Sequence, residues 1–363
     1  MPDLTASLDL CSLCPKLCNH VCPVYRASSR ETWSPQNKMA SLLRLQKKCE
    51  APGSGPGPGW ADSQPLYACT ACGACTTACL HKVEPANHLV RGRALAERHE
   101  AGHPALHNLP ERTFALAQKI TQAILADGQV RLAQPGGVGI LPSCMSPQHA
   151  SPVAEAQRLF KLLDALRPHF ADFPQSGLLP VGSAGYPLYA AGLDESFRLY
   201  AESLSEQFSK QSVLVAHCSV CTYLLKVVYP QHGVPVPKVL HVSEFLLPFA
   251  AALPVKKPLQ AVRYHAPCHL ERRLHIGAPL QILHKIAKQV VSHDEFEPPC
   301  CGAAGLLPQT DPQLARAMAH EAMADQNHVA IPTVSGCPTC AKHLLDSGYD
   351  AQDLLSVLEK VCF

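Results

Sequence analysis

The sequence predicts an α/β protein, with a helical, cysteine-rich N-terminal domain followed by two duplicated α/β lobes that carry short parallel sheets. Three observations predict this fold class. Most of the cysteines fall in tight groups. Beyond about residue 130, short apolar runs alternate with amphipathic helical stretches, the pattern of strand–helix–strand units. In that same part of the chain, cysteines and glycines recur in the same order.

Composition narrows the class of protein further. The chain has 363 residues, 18 of them cysteine, and a hydrophobic content of 47%, which suffices for buried cores. A net charge of +2 gives no electrostatic reason to expect that the protein binds nucleic acid. We expect a cytoplasmic protein without a signal peptide or membrane span, in which any membrane association runs through a partner. In such a chain, clustered cysteines indicate metal binding or catalysis rather than disulfides.

The N-terminal domain, predicted over residues 1–105, contains two cysteine runs. The second run has the Cys-x2-Cys-x2-Cys-x3-Cys spacing of a ferredoxin-type [4Fe–4S] site, and the first has one extra residue. In two-cluster ferredoxins the fourth cysteine of each run ligates the other cluster. On that model one cubane is held by Cys11, Cys14, Cys18 and Cys79, and the other by Cys69, Cys72, Cys75 and Cys22. Zinc knuckles are the alternative. They are disfavoured because one zinc ion needs only four ligands, whereas the two runs supply eight cysteines in ferredoxin order.

Helices are predicted around and after these runs. Ser34 suits an N-cap and Pro35 a first helical position, which predicts a helix over 35–48. Further helices are predicted over 87–100 and 111–126, the latter within a linking segment at 106–132.

The remaining chain is predicted to form parallel sheets. Apolar runs at 138–141 and 213–216 predict strands, and 153–166 and 194–209 predict helices. Glycines at 136–139 precede a strand and lack the spacing of a dinucleotide-binding motif.

The internal repeat divides this region into lobes at 133–255 and 256–363. The second copy has a cysteine, a Cys-Cys-Gly-Ala-Ala-Gly stretch and a Cys-x2-Cys pair; its thiols are Cys268, Cys300, Cys301, Cys337 and Cys340. In the first copy Pro180 and Val181 replace the adjacent cysteines, and the thiols that remain are Cys144, Cys218 and Cys221.

The two copies differ in what they can bind. Five thiols exceed the needs of one tetrahedral zinc and suggest a metal cluster in the second lobe. The first lobe keeps three thiols, with His217 beside Cys218 as a further candidate ligand. Zinc, an iron–sulfur cluster and no metal at all are the alternatives there.

These motifs resemble a known family, the heterodisulfide reductases. The paired cysteine-rich repeats, with His265-Ala266-Pro267-Cys268 and Cys300-Cys301-Gly302 in the second, resemble the cysteine-rich B-type chain of that enzyme. The N-terminal runs resemble its C-type chain, which carries two cubanes, and the fused order resembles its D-type chain. The sequence is also similar to the iron–sulfur subunits of glycolate oxidase, lactate-utilisation enzymes and anaerobic glycerol-3-phosphate dehydrogenase.

The resemblance implies a noncubane [4Fe–4S] cluster held by the five thiols of the second lobe, with Cys300 and Cys301 at the reactive centre. His265 and His269 are candidates for hydrogen bonds or protons at this cluster. The family reductase acts with two such clusters on one substrate, whereas this chain has the complete ligand set for one.

We therefore expect an electron-transfer subunit, in which two cubanes pass electrons to or from the noncubane site. No flavin or nicotinamide motif is present, which predicts a flavoprotein dehydrogenase or another redox subunit as partner. One alternative is a thiol–disulfide or quinone reductase acting at the Cys-Cys-Gly cluster. The other is a zinc-stapled scaffold without a redox role.

Overall fold

A computed structural model describes residues 9–11, 14, 16–50, 57–142, 152–292, 299–324 and 331–363. In chain order, its labelled helices are α1 (Cys18–Val21), α2 (Pro23–Ser28), α3 (Pro35–Glu50), α4 (Trp60–Tyr67), α5 (Ala74–Thr77), α6 (Pro85–Arg98), α7 (Leu109–Ala126), α8 (Pro152–Leu166), α9 (Tyr186–Ala191), α10 (Asp194–Ser209), α11 (Ser219–Tyr223), α12 (Tyr229–Gln231), α13 (Val242–Leu246), α14 (Glu271–Leu274), α15 (Ala278–Ile286), α16 (Leu307–Thr310), α17 (Pro312–Ala324), α18 (Pro338–Asp346) and α19 (Leu354–Cys362). The strands are β1 (Val138–Leu141), β2 (Ser176–Leu178), β3 (Val213–Ala216), β4 (Lys238–His241), β5 (Leu259–His265), β6 (Ala287–Ser292), β7 (Thr333–Ser335) and β8 (Ala351–Asp353).

The chain divides into two compact units. The first comprises Met1–Glu111, Pro187–Phe197 and Glu295–Asn327, and the second comprises Arg112–Tyr186, Arg198–Asp294 and His328–Phe363. The first unit thus takes in the segment with Cys300 and Cys301, while Cys268, Cys337 and Cys340 belong to the second. The domain boundaries drawn from the sequence stay a prediction.

The first unit is helical, and its helices begin close to where the sequence predicted. The hydroxyl of Ser34 accepts a hydrogen bond from the Asn37 amide at 3.2 Å, which caps α3. Met39, Leu42 and Leu45 form the buried stripe of α3, which packs against α4 and α6. The helix predicted over 87–100 starts two residues earlier, at Pro85, because proline is well suited to the first turn.

The second unit contains two four-stranded parallel sheets, which confirms the predicted fold class. Their strand orders are β2-β1-β3-β4 and β6-β5-β7-β8, so each sheet repeats the same relative order. Every residue of β1 is buried, as parallel strands covered on both faces require. The two sheets share one hydrophobic core, to which α8 contributes Leu162 and α19 contributes Leu358. None of the helices in the described parts of the chain combines the length and the hydropathy that a membrane span requires.

Each of the two Cys-x2-Cys pairs follows a parallel strand and lies at the equivalent position of its sheet. β3 ends at Ala216, and Cys218 is the N-cap residue of α11. β7 ends at Ser335, and Cys337 is the N-cap residue of α18. Residues that follow parallel strands lie at the carboxyl edge of a sheet, where open α/β sheets bind their ligands.

The Cys-Cys-Gly loop, residues 300–305 of the first unit, packs closely against the second cysteine run at Gly305. The φ of Gly305 is +68°, and a Cβ atom there would overlap the carbonyl oxygen of Cys69. We expect Gly305→Ala to lower the free energy of unfolding by about 1–2 kcal/mol for the left-handed backbone, and further for the overlap. Urea denaturation of the metal-free chain measures this loss.

Gly233→Ala is the matched control, because Gly233 has a φ of +74° and a Cβ atom there meets open space. Equal stability of the two variants would contradict the close approach of Gly305 to Cys69.

Candidate metal centre

Two cavities of the first unit are lined by predicted cluster thiols, four in one cavity and five in the other. The Cys22 cavity, of about 350 Å³, is lined by Cys22, Cys69, Cys72 and Cys75. The Cys11 cavity, of about 480 Å³, is lined by Cys11, Cys14, Cys18 and Cys79, and Cys75 lines it as well. Four thiols are the usual donor set of a [4Fe–4S] cluster, so the residues present fit that group. Apart from Cys75, which lines both cavities, the sets match the pairing expected from the ferredoxin model, and ligation itself stays a prediction.

The backbone of the second cysteine run is shaped around its first thiol. Ala71 has a φ of 55° and Gly73 a φ of 80°, both in the left-handed region. The Ala71 amide donates a hydrogen bond to the Cys69 sulfur at 3.4 Å. An amide directed at a sulfur stabilises its charged form, and such bonds tune the potential of a bound cluster.

The thiols of the two cavities influence one another strongly. Burial raises the pKa of Cys11 to about 11, with further contributions from Cys79 and Cys14. Burial also raises the pKa of Cys18 to about 12, reinforced first by Cys22. Thiols held this close resist ionising together unless a cation neutralises them, which is the role a metal performs.

Lys38 introduces a positive charge at the Cys22 cavity. It lines this cavity from α3 and is only 1% exposed. Burial raises the pKa of Cys22, and the Lys38 ammonium is the strongest opposing effect. Within the described parts of the chain, no carboxylate lies within ion-pair distance of this ammonium.

Arg93, on α6, is a second buried cation and is 0% exposed. Its guanidinium donates hydrogen bonds to the carbonyl oxygens of Leu66 at 2.9 Å, Cys69 at 2.6 Å, Ala190 at 2.6 Å and Gly305 at 3.3 Å. It also lies over the ring of Tyr67, 5.1 Å from the centroid. Arg93 therefore connects the second cysteine run to the Cys-Cys-Gly loop.

The adjacent cysteines of that loop are buried beside the same run. Cys300 and Cys301 are each 2% exposed. The hydroxyl of Thr70 lies 3.4 Å from the Cys300 sulfur. No sequence motif signalled Thr70 or Arg93, because neither residue type is diagnostic and their partners are distant along the chain.

The second unit brings together thiols that the sequence had assigned to different sites. The sulfur of Cys218, from the first lobe, lies 4.0 Å from that of Cys337, from the second. Cys218 also lies 3.4 Å from the Thr339 hydroxyl. Hydrogen bonds with Cys221 and Cys337 raise the pKa of Cys218. The two Cys-x2-Cys pairs thus adjoin, while Cys144 lies outside the described residues.

His217, the candidate ligand of the first lobe, has two carboxylate partners. Its Nδ1 lies 2.6 Å from Glu155, and its Nε2 lies 3.5 Å from Asp353. Burial opposes the charge, but the two carboxylates outweigh it and raise the pKa of His217 to about 8. This arrangement favours an ion-pair role over metal ligation.

His269 and His265 are the candidates on the second lobe. Nδ1 of His269 lies 3.4 Å from the Cys268 sulfur, within reach of a hydrogen bond. His265 is buried at the end of β5. Both therefore remain candidates for tuning a cluster.

Comparison with known proteins finds the same two motifs. A 4Fe-4S dicluster domain matches residues 7–83, and a cysteine-rich domain matches residues 262–345. The D-type chain of dihydromethanophenazine:CoB–CoM heterodisulfide reductase from Methanosarcina barkeri is 27% identical over 98% of this chain and 92% of its own length.

Proteins of the same name from two other species show the same relation. That of Methanosarcina mazei is 34% identical over 46% of this chain and 42% of its own length. The protein from Methanosarcina acetivorans is 24% identical over 93% of this chain and 88% of its own length. Together with the domain matches, these relatives confirm the expected resemblance and the iron–sulfur character of the chain.

The raised thiol pKa values predict a pH-dependent stability for the metal-free chain. The folded-state pKa values of Cys11 and Cys18, about 11 and about 12, exceed the ordinary value of 9.0. The folded state holds these protons more tightly, so its stability is complete below pH 9.0 and falls as the pH rises through the folded values. Thermal denaturation across this range measures the fall.

Cys18→Ser removes one titrating thiol and is expected to lessen the decline. A decline of the same size in this variant would assign the alkaline instability to other groups.

Arg93 is expected to be essential for the fold of the first unit. Arg93→Met leaves buried carbonyl oxygens without donors, at about 1–3 kcal/mol each, so we expect a loss of about 3 kcal/mol or more. Urea denaturation checks this, with Arg91→Met as an exposed control on the same helix. Similar stability of both variants would contradict the anchoring role.

Proposed function

We propose that this chain, an iron–sulfur electron-transfer subunit of the heterodisulfide reductase-like family, passes electrons between two [4Fe–4S] cubanes and a noncubane cluster at the Cys-Cys-Gly motif. The observation that carries the proposal is the pair of thiol-lined cavities in the first unit. Thr70 lines one of them, and its hydroxyl lies 3.4 Å from the Cys300 sulfur. A flavoprotein dehydrogenase or another redox subunit is the proposed partner, since relatives are named as components of a larger enzyme.

The proposed route follows contacts of the first unit. Cys75 lines both cavities, so it supplies a short connection between the two cubane sites. From the Cys22 cavity, Thr70 follows Cys69 and reaches the sulfur of Cys300. The clusters supply one-electron chemistry when bound, while the protein residues hold them close and limit their contact with water.

The Cys11 cavity supports exchange with a partner. Leu17 and Leu80 line it and are 41% and 75% exposed. Apolar side chains exposed beside a redox site favour docking of another protein surface. We place the partner-facing end of the route here and the terminal end at the Cys-Cys-Gly cluster.

The terminal cluster would use the complete thiol set of the second copy of the repeat, Cys268, Cys300, Cys301, Cys337 and Cys340. Soft thiolates are the ligands that iron–sulfur clusters require, and each of these five side chains is buried. Cys218 adjoins Cys337, one of these five thiols.

A second candidate function is direct reduction of a disulfide or quinone at this cluster. The relatives are named as heterodisulfide reductase components, which favours it. Against it, Cys300 and Cys301 are almost fully buried, and the chain has the complete five-cysteine set only once.

Metal analysis tests the proposal directly. The full chain purified without oxygen is expected to contain about twelve iron atoms and as many sulfides, from three four-iron clusters. It should carry electrons but oxidise no 2-hydroxy acid by itself. Zinc without iron and sulfide would contradict the proposal and favour the scaffold. Turnover of a hydroxy acid by the pure chain would contradict the electron-transfer role.

Cysteine variants separate the two candidate functions. Cys300→Ser and Cys301→Ser are expected to abolish the third cluster signal in electron paramagnetic resonance while both cubane signals persist. Cys49→Ser, outside every motif, is the control and should change neither. If Cys300→Ser and Cys301→Ser both retain full reduction of a disulfide or quinone, reduction at this cluster is wrong.

A further inference from the structure

The Lys38 side chain has no structural explanation in the metal-free unit. It is 1% exposed, and lysine is almost never this buried unless it is paired with an opposite charge. Among the residues that the structure describes, no aspartate or glutamate makes an ion pair with it. Its position on α3 is flanked by Met39, which is fully buried in the core.

The surroundings of Lys38 are thiols. It lines the Cys22 cavity together with Cys22, Cys69, Cys72 and Cys75. Four thiolates outweigh the positive charge of a [4Fe–4S] core, so a cluster held here would carry net negative charge. That charge is the counterion that Lys38 otherwise lacks.

We propose that the positive charge of Lys38 selectively raises the reduction potential of the cluster in the Cys22 cavity. The inference rests on the proposed function, because it needs a cluster at those thiols. Reduction adds one electron to the cluster and makes it more negative. A fixed cation nearby therefore stabilises the reduced form more than the oxidised form.

The Cys11 cavity provides the internal comparison. Its described lining includes Gln36 and His81 but no lysine or arginine. Its thiols are only partly buried, so water can screen an added charge there. At the Cys22 cavity, Cys69 and Cys75 are also partly buried, but Cys22 and Cys72 are fully buried, which by itself disfavours the added charge. Lys38 offsets this penalty and keeps the cluster there reducible.

Arg93 supports the same site without replacing Lys38. Its guanidinium is fully engaged with carbonyl oxygens, including that of Cys69, and it holds the loop in place. The Lys38 ammonium is not needed for any such hydrogen bond among the described contacts. Charge at Lys38 can therefore be removed without undoing the anchor that Arg93 provides.

The test is a redox titration of the full chain, loaded without oxygen and followed by electron paramagnetic resonance. Lys38→Met keeps the length of the side chain and removes its charge. We expect the equilibrium constant for reducing one cubane to fall at least about tenfold, or about 59 mV for one electron. The other cubane is expected to shift much less, and Cys72→Ser identifies which signal belongs to the Cys22 cavity.

Two variants make the result specific. Lys47→Met removes an exposed charge from the same helix and should shift neither cubane. Lys38→Arg keeps a positive charge and should leave the potential much closer to that of the unaltered chain. A Lys38→Met protein with unchanged iron content and unchanged potentials would overturn the inference while leaving the proposed function intact. Absence of iron from the unaltered chain would instead overturn both.

Discussion

The hydrogen bonds of Arg93 are the constraint on which the first unit depends. One buried guanidinium binds backbone carbonyls from four places in the sequence, at Leu66, Cys69, Ala190 and Gly305. Carbonyl oxygens so deeply buried need a donor, and a planar guanidinium with five N–H groups can satisfy several at once. The same contacts fix the backbone of one predicted cluster ligand and of the Cys-Cys-Gly loop. Packing and cofactor geometry therefore depend on one side chain.

The raised pKa values of the cavity thiols result from their burial and from the short distances between them. Burial and mutual repulsion raise the pKa values of the cavity cysteines, so these sites resist ionisation without a cation. A bound cluster would meet that need, and Lys38 would moderate the excess negative charge at the Cys22 cavity. The protein thus supplies positive charge where water is least available to do so.

Parallel sheet topology explains the arrangement of the second unit. In both sheets a strand ends just before a Cys-x2-Cys pair, and a helix starts within the pair. Repetition of this unit gives two similar pairs, and the shared core holds the two sheets together. Pro180 and Val181 stand where the second copy has adjacent cysteines, yet the strand order is the same in both copies. The sheet therefore depends on its apolar strands and helices rather than on those thiols.

Local sequence patterns were enough to predict the helical and α/β regions, the parallel strands at 138–141 and 213–216, the capped helix after Ser34 and the grouping of thiols. Each depends on local pattern or fixed spacing, which the order of residues carries directly. The folded chain was needed to show that Thr70 lies beside Cys300, that Arg93 binds four carbonyls, that Lys38 lines a thiol cavity and that His217 lies between two carboxylates. These contacts join residues tens to hundreds of positions apart, and their residue types are ordinary on a protein surface. The roles of these residues depend on their burial, and burial is determined by the packing of the folded chain.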